Sequence, residues 1–197
     1  MRLICLIGES GSGKDTILNN IIRRCGDKVN RVVTYTTRPP RENETEGIEY
    51  HFVDNDYFED NEFASHREFN GWHYGIDLNS FVEDKVNVII VDPAGFIELC
   101  EIFSVNEIFG YIIHTSDKQR LLRQLNREQY PNCYEIARRF CTDANDFDDF
   151  MCYIQNWEYE NVYVLDNEND FDLEDCILTI VKHIEAIYGQ LSSNSNN

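Results

Sequence analysis

The residues best suited to chemistry lie near the start of the chain, where an apolar run at residues 3–7 leads into Gly8-Glu9-Ser10-Gly11-Ser12-Gly13-Lys14. This G-x-x-x-x-G-K pattern, between a predicted strand and a predicted helix, is typical of a phosphate-binding loop. Its glycines let the backbone turn tightly and approach an anion closely. The loop amides, the helix N-terminus and the charge of Lys14 all favour a polyphosphate.

The loop departs from the commonest pattern directly after its lysine. Asp15 stands where Ser or Thr usually supplies a hydroxyl toward Mg²⁺, and Thr16 follows it. A negative charge is favourable at the start of a helix, so we expect Asp15 to cap or solvate that start. A direct metal role for Asp15 is the less favoured alternative.

A second group of anion-binding residues follows in Thr34-Tyr35-Thr36-Thr37-Arg38-Pro39-Pro40-Arg41. The two prolines stiffen the backbone, and each arginine fork can hold phosphate oxygens through paired hydrogen bonds. Tyr50 and Tyr74 bring hydroxyl groups from later segments. The spacing therefore predicts a second anion site, with solvated surface arginines as the alternative.

Apolar runs that read as strands alternate with helical patterns along most of the chain. Strands are predicted at 3–7, 31–35, 86–91, 108–114 and 162–165, and helices at 95–103, 117–127, 134–157 and 172–188. The run at 86–91 is rich in β-branched residues, as in a strand buried on both faces. This alternation predicts an α/β fold of three layers, a parallel sheet with helices on both sides.

Two segments interrupt the alternation and divide the chain. Residues 35–83 are rich in charged and aromatic side chains, and we expect a small antiparallel lobe there. Residues 126–147 are polar and contain arginines, and we expect a lid. The core then comprises residues 1–34 and 84–189, with Gly189 ending the last helix and a disordered tail at 190–197.

Composition excludes several function classes. Residues 1–41 contain 8 basic and 3 acidic residues, whereas the remainder contains 9 basic and 33 acidic residues. Such an acidic remainder does not favour nucleic-acid binding. The seven cysteines form no C-x-x-C pair, so the sequence does not support a zinc ribbon or thioredoxin-like chemistry. We expect no resident metal, and a reducing cytoplasmic location fits. No apolar run is long enough to span a membrane.

In combination these motifs resemble the guanylate kinase family over about residues 3–189. After the phosphate loop come T-T-R-x-P-R, then G-x-x-Y-x-F-V, then N-E-F followed eleven residues after its Phe by Tyr-Gly. The segment beginning at Asp92 is similar to the family's I-D-x-Q-G without its glutamine. The resemblance implies a P-loop kinase core, a nucleoside-monophosphate lobe and a mobile lid.

The resemblance also implies roles for individual residues. Arg38, Arg41, Tyr50 and Tyr74 would hold the monophosphate, and Thr34 matches a serine that contacts the base. Arg127 and Arg139 resemble lid arginines that act on the transferring phosphate, although Arg138 is adjacent to Arg139 and easily confused with it. With Lys14 and Arg38, these two form the expected catalytic set. The ATP-binding set is Gly8, Ser10, Gly11, Ser12, Gly13, Lys14, Asp15 and Thr16.

The base-binding positions depart from the family. Ser65 replaces a glutamate that accepts hydrogen bonds from guanine, Ile76 replaces a Ser or Thr, and Ile90 replaces a frequent acidic residue. Asp92 remains as a contact for the base or ribose. We therefore expect a weaker preference for guanine than the family pattern implies.

The resemblance implies ATP-dependent phosphorylation of GMP or dGMP, with Mg²⁺ arriving with ATP, in a monomer or homodimer. Two alternatives are kept: a monophosphate kinase with a different or relaxed base specificity, and a non-catalytic guanylate-kinase-like binding module. The intact Lys14, Arg38 and Arg41 speak against the second.

Overall fold

A computed structural model describes residues 1–41, 44–69, 71–127, 129–156 and 161–194. Within these ranges the chain forms nine strands and six helices, with two short 3₁₀ turns at Gly26–Lys28 and Leu78–Ser80. The strands are β1 Arg2–Ile7, β2 Val29–Arg31, β3 Thr34–Thr36, β4 Tyr50–Phe52, β5 Ser65–Phe69, β6 Trp72–Ile76, β7 Val86–Ile90, β8 Ile108–His114 and β9 Val162–Asp166. The helices are α1 Lys14–Cys25, α2 Asn55–Asp60, α3 Pro93–Ile102, α4 Asp117–Asn126, α5 Cys133–Asn156 and α6 Asp170–Asn194.

Five parallel strands form the central sheet in the order β2-β7-β1-β8-β9. Successive side chains of a strand point to opposite faces, so β1 supplies two separate cores. Ile4 and Leu6 pack with α1 and α6, whereas Leu3, Cys5 and Ile7 pack with α3 and α5. The predicted three-layer arrangement is therefore confirmed.

The lobe contains a second, four-stranded sheet in the order β4-β3-β6-β5. The pairs β3–β6 and β5–β6 are antiparallel, as predicted for the lobe, but β3 and β4 run parallel, so the lobe sheet is mixed. Residues 37–49 separate β3 from β4. A connection of this length lets the chain return and run beside β3 in the same direction, which a tight hairpin would not allow.

Two predicted boundaries also differ from the structure. The strand predicted at 31–35 is split, because β2 ends at Arg31 in the central sheet and β3 begins at Thr34 in the lobe sheet. The last helix does not end at Gly189, and residues 190–194 are helical rather than a disordered tail. Tyr188 and Leu191 pack against the core, which explains why the helix continues past the glycine. Residues 195–197 lie outside the described residues.

None of the helices that the structure describes combines the length and the apolar character that a membrane crossing requires.

Candidate active site

A cavity of about 820 Å³ lies between the central sheet, the lobe and α5. The phosphate loop, residues 8–14, forms one end of it, and the lobe sheet and α3 form the other. Its walls therefore come from segments that are far apart in the sequence. The cavity is large enough for a drug-sized ligand.

The phosphate loop has the local structure that its glycines predict. Gly11 and Gly13 have φ angles of 84° and 98°, a region that residues with a Cβ atom rarely adopt. A Cβ atom on Gly11 would also lie 2.7 Å from the Arg120 carbonyl oxygen. Side chains at these two positions would therefore disturb the turn that leads into α1.

Side chains of α4 hold the carbonyl oxygens of the phosphate loop. Arg120 Nε and Gln124 Nε2 each donate to the Ser10 carbonyl at 3.2 Å, and Arg123 Nη1 donates to the Gly11 carbonyl at 3.3 Å. From the chain after β9, Asn167 Nδ2 donates to the Ser12 carbonyl at 2.6 Å. These contacts fix the loop backbone, so that less conformational entropy of the loop is lost when a ligand binds.

Lys14 lies folded over the loop at the cavity surface. Its Nζ donates to the Gly8 carbonyl at 2.6 Å and to the Glu9 carbonyl at 3.0 Å. Burial lowers the pKa of Lys14, while the carboxylates of Asp15 and Asp143 oppose that shift. A phosphate group that reached Lys14 would replace two neutral carbonyl partners with a charged one, a stronger kind of hydrogen bond.

Helix α5 also contacts the phosphate loop at Ser10. The Arg139 Nη2 donates to the Ser10 hydroxyl at 2.6 Å, and the Ser10 amide donates to Asp143 Oδ2 at 2.6 Å. Burial lowers the pKa of Arg139, and the nearby charge of Arg41 lowers it further. The predicted lid arginine therefore lies beside the phosphate loop and near the second anion site.

Arg38 and Arg41 meet on one buried carboxylate, that of Glu44. Arg38 Nη2 lies 2.9 Å and Arg41 Nη1 lies 3.1 Å from this group, which also accepts a hydrogen bond from the Arg41 amide at 2.8 Å. Although burial raises the pKa of Glu44, that amide and the two arginines outweigh burial and lower it. Glu44 therefore stays ionised and holds the two guanidinium groups side by side.

The lobe strands bring two tyrosines to the same face as these arginines. Arg38 lies over the Tyr50 ring, with its Cζ 5.3 Å from the ring centroid, and Tyr74 packs edge-on against Tyr50 at 6.1 Å. Burial, with a smaller contribution from Tyr74, raises the pKa of Tyr50 to about 12. Its hydroxyl therefore stays protonated at neutral pH and can donate to an anion.

The cavity wall formed by the lobe sheet and the start of α3, here called the base wall, includes Ser65, Arg67, Ile76 and Asp92. Ser65 pairs with Ile76 across β5 and β6, and its hydroxyl donates to a carboxylate oxygen of Glu98 on α3. Arg67, two residues along β5, donates to Asp92, which caps α3 by accepting from the Gly95 amide at 2.9 Å.

Most of the predicted side chains line this one cavity. Gly8, Ser10, Lys14, Thr34, Arg38, Arg41, Tyr50, Ser65, Tyr74, Ile76, Asp92 and Arg139 all border it. The predicted residues outside its lining are Gly11, Ser12, Gly13, Asp15, Thr16 and Arg127. Arg127 stands exposed at the C-terminal end of α4, and its lid role stays a prediction. Arg138 does line the cavity and pairs with Glu135 at 2.8 Å.

Sequence reasoning missed the residues that hold the site together. Glu44, Arg67, Glu98, Arg120 and Asp143 each contact a predicted site residue through a side chain. The only local signal is the charge pair of Arg41 and Glu44, three residues apart. The other four make contacts that no motif in the sequence indicates.

The first turn of α1 provides two oxygen-bearing side chains, Asp15 and Thr16, and both are exposed. Carboxylate and hydroxyl oxygens are ligands that Mg²⁺ accepts, often through water. This turn therefore suits a magnesium ion that enters with a bound nucleotide. Among the residues that the structure describes, no group of three or more His, Cys, Asp or Glu side chains is placed to hold a metal ion.

Comparison with known proteins gives a consistent result. The family model for guanylate kinase matches residues 1–166. The guanylate kinase of Alkalilimnicola ehrlichii is 29% identical over 178 residues, which are 86% of this chain and 82% of that protein. The guanylate kinase of Schizosaccharomyces pombe is 31% identical over 107 residues, 50% of this chain, and the match spans about half of the relative, 53% of its length.

The fold is also shared with a solved structure. The crystal structure of guanylate kinase from Anaplasma phagocytophilum superposes with a TM-score of 0.64 at 19% identity, covering 95% of this chain and 86% of that one. At this identity the likeness concerns the fold. The match of the family model over most of the sequence carries the assignment, and the chain therefore belongs to the guanylate kinase family.

Proposed function

We propose that this protein transfers the γ-phosphate of ATP to the phosphate of GMP or dGMP. As a member of a kinase family the chain is a phosphotransferase. One observation supports this reaction most strongly: a phosphate loop with its lysine and a paired-arginine site border the same cavity. A reaction between two phosphate-bearing substrates requires two such anion sites facing each other.

The proposed chemistry needs no nucleophile from the protein. An ionised oxygen of the acceptor phosphate attacks the γ-phosphorus, the bond to the bridging oxygen of ADP breaks, and ADP leaves. Lys14 and Arg139 would neutralise the charge on the transferring group, while Arg38 and Arg41 would hold the acceptor in line. Mg²⁺ belongs to the ATP substrate and supplies further charge neutralisation when it is bound.

Arg139 is well placed for this role because it already contacts the phosphate loop through Ser10. Its helix also borders the acceptor side of the cavity through Arg138 and Glu135. Closing α5 over both substrates would exclude water from the transferring phosphate. ATP hydrolysis without an acceptor should then be slow.

The direct test is ADP release from MgATP in the presence of GMP, dGMP, AMP, CMP, UMP or dTMP in turn, with no acceptor as the baseline. Faster release with GMP or dGMP than with the others supports the proposal. Release at the baseline rate with every acceptor, while GMP still binds, would instead favour a binding module.

A second candidate, a monophosphate kinase with a different or relaxed base specificity, is favoured by the base wall. Ser65 and Ile76 are 4% and 3% exposed, so these departures from the family pattern lie inside the site. Comparable ADP release with several bases in the same experiment would support this candidate over the first.

A further inference from the structure

Arg67 places a positive charge on the base wall. On β5 it lies two residues from Ser65 and pairs with Tyr74 of β6, so its side chain shares the cavity face of the lobe sheet. The guanidinium group lies against the start of α3. A Cβ atom built on Gly95 would be only 2.9 Å from Arg67 Nη2. Its side chain is 22% exposed, so it lines the cavity without extending into solvent.

Both carboxylates near this wall already accept hydrogen bonds from the protein. Asp92 accepts from Arg67 and from the Gly95 amide, and Glu98 accepts from Ser65. Arg67 Nε also lies 3.6 Å from Glu98 Oε2, close enough for charge pairing. Only Asp92 Oδ1 and Glu98 Oε2 are therefore in use, and Asp92 Oδ2 has no hydrogen-bond partner among the described residues. Position 65, however, carries no carboxylate that could accept from the N1–H and 2-amino groups of guanine.

Donors, in contrast, remain available on Arg67. A guanidinium group carries five N–H donors and no acceptor. Nη1 donates to Asp92 and the buried Nε faces Glu98, whereas no described residue accepts a hydrogen bond from Nη2. The base wall of this chain therefore offers the donors of Arg67 two residues from position 65, where the family pattern has a carboxylate acceptor.

We propose that Arg67 reads the base by donating to N7 and O6 of a 6-oxopurine. This inference rests on the proposed monophosphate kinase function and names its substrate class. An arginine fork matches the adjacent N7 and O6 acceptors of guanine, and hypoxanthine carries the same pair. Adenine replaces O6 with an amino donor, which a guanidinium group cannot bind. The 2-amino group, which separates GMP from IMP, should contribute little, because Ser65 stands where the family pattern has the glutamate that accepts from this group and the Ser65 hydroxyl donates to Glu98.

The test compares kcat/KM for GMP, IMP and AMP in the full-length protein and in Arg67→Met. In the wild type we expect GMP and IMP to agree within about threefold, and both to exceed AMP by about tenfold or more, since one bidentate arginine contact supplies discrimination of this size. In Arg67→Met the ratio of kcat/KM for IMP to kcat/KM for AMP should fall by about tenfold, while the KM for MgATP is unchanged.

Arg138→Met is the matched control, because Arg138 lines the same cavity but pairs with Glu135 instead of the base wall. This substitution should change kcat/KM for GMP, IMP and AMP by the same factor. Arg67→Lys keeps the charge without the planar fork, so it should also lower the IMP-to-AMP ratio if the fork reads the base. Thermal melting shows whether each variant is folded.

Two results would overturn the proposal. One is a wild-type kcat/KM for GMP that exceeds that for IMP by about tenfold or more. The other is an equal change in kcat/KM for all three substrates in both Arg67 variants. Failure of the proposed function is distinguishable, because it would leave the wild type without transfer to any acceptor. Calorimetric dissociation constants of GMP, IMP and AMP for wild type and Arg67→Met would then still decide whether Arg67 reads the base.

Discussion

Replacing Asp143 with asparagine should make MgATP bind more tightly. Asp143 Oδ2 accepts a hydrogen bond from the Ser10 amide at 2.6 Å, within the loop proposed to hold the phosphates of ATP. A polyphosphate bound in the loop would be repelled by this carboxylate unless the Asp143 side chain moved away. The substitution keeps the size of the side chain and an acceptor oxygen but removes the negative charge.

The expected magnitude follows from the charges involved. Two unit charges about 5 Å apart interact by roughly 3 kcal/mol at an effective dielectric constant of about 20. Arg120 lies 3.7 Å from Asp143 and offsets part of this repulsion, so about 1–2 kcal/mol should remain, or roughly five- to thirtyfold in affinity. Arg120 keeps Glu9 and Asp117 as partners in the variant, so it is not left buried without a counter-charge.

Calorimetric titration of MgATP into both proteins measures the effect. It should grow as the salt concentration is lowered, because salt screens charge repulsion. Asp148→Asn is the control, since it removes the same charge from an exposed position of the same helix outside the cavity lining. Affinity in Asp143→Asn that is equal to or weaker than in the wild type would refute the reasoning and make the carboxylate a contributor to nucleotide binding.

Three further predictions test other parts of the site. Lys14→Ala should lower kcat about 10²–10³-fold without lowering the melting temperature, because in the proposed reaction the lysine stabilises the transferring phosphate, and it lies outside the core; near-normal turnover would remove it from the mechanism. Arg41→Lys should raise the KM for GMP more than the KM for ATP, because an ammonium group lacks the planar fork; equal increases would contradict two separate phosphate sites. Glu44→Gln should lower the free energy of unfolding by about 1–3 kcal/mol at neutral pH. Because folding lowers the pKa of Glu44 below its ordinary value of 4.5, this contribution is present above that value and is lost as the pH falls through the folded pKa. Denaturant unfolding across this range measures it, and a deficit that does not depend on pH would rule out the ion pairs as its cause.

The features that the sequence predicted correctly are those encoded locally. The phosphate loop is a contiguous motif, and the parallel strands are short apolar runs whose burial the pattern shows directly. The end of α6 was missed because Gly189 reads as a helix stop, whereas packing of Tyr188 and Leu191 outweighs the cost of about 1 kcal/mol for glycine in a helix.

The base wall could not be predicted, because its contacts join segments that are distant in the sequence. Ser65 and Glu98 are 33 residues apart, and Arg67 and Asp92 are 25 apart. Each residue is unremarkable in its own segment, and only the packing of β5 on α3 creates the pairs. The lid role of Arg127 stays a prediction: motif spacing assigns it to the lid, and the structure places it exposed at the end of α4.

The two proposed substrate sites are connected to different strands of the central sheet, and these strands differ in how firmly they are held. The phosphate loop continues β1, which lies between β7 and β8 and whose residues 3–7 are fully buried. The lobe instead lies in the chain between β2, an edge strand held by three residue pairs to β7, and β7 itself. Amide hydrogens of β1 should therefore exchange with solvent only through global unfolding, whereas the lobe can open locally while the ATP side stays intact. In a deuterium-exchange experiment, amides of the lobe should therefore exchange faster than amides of β1, because the lobe opens without unfolding the proposed ATP site.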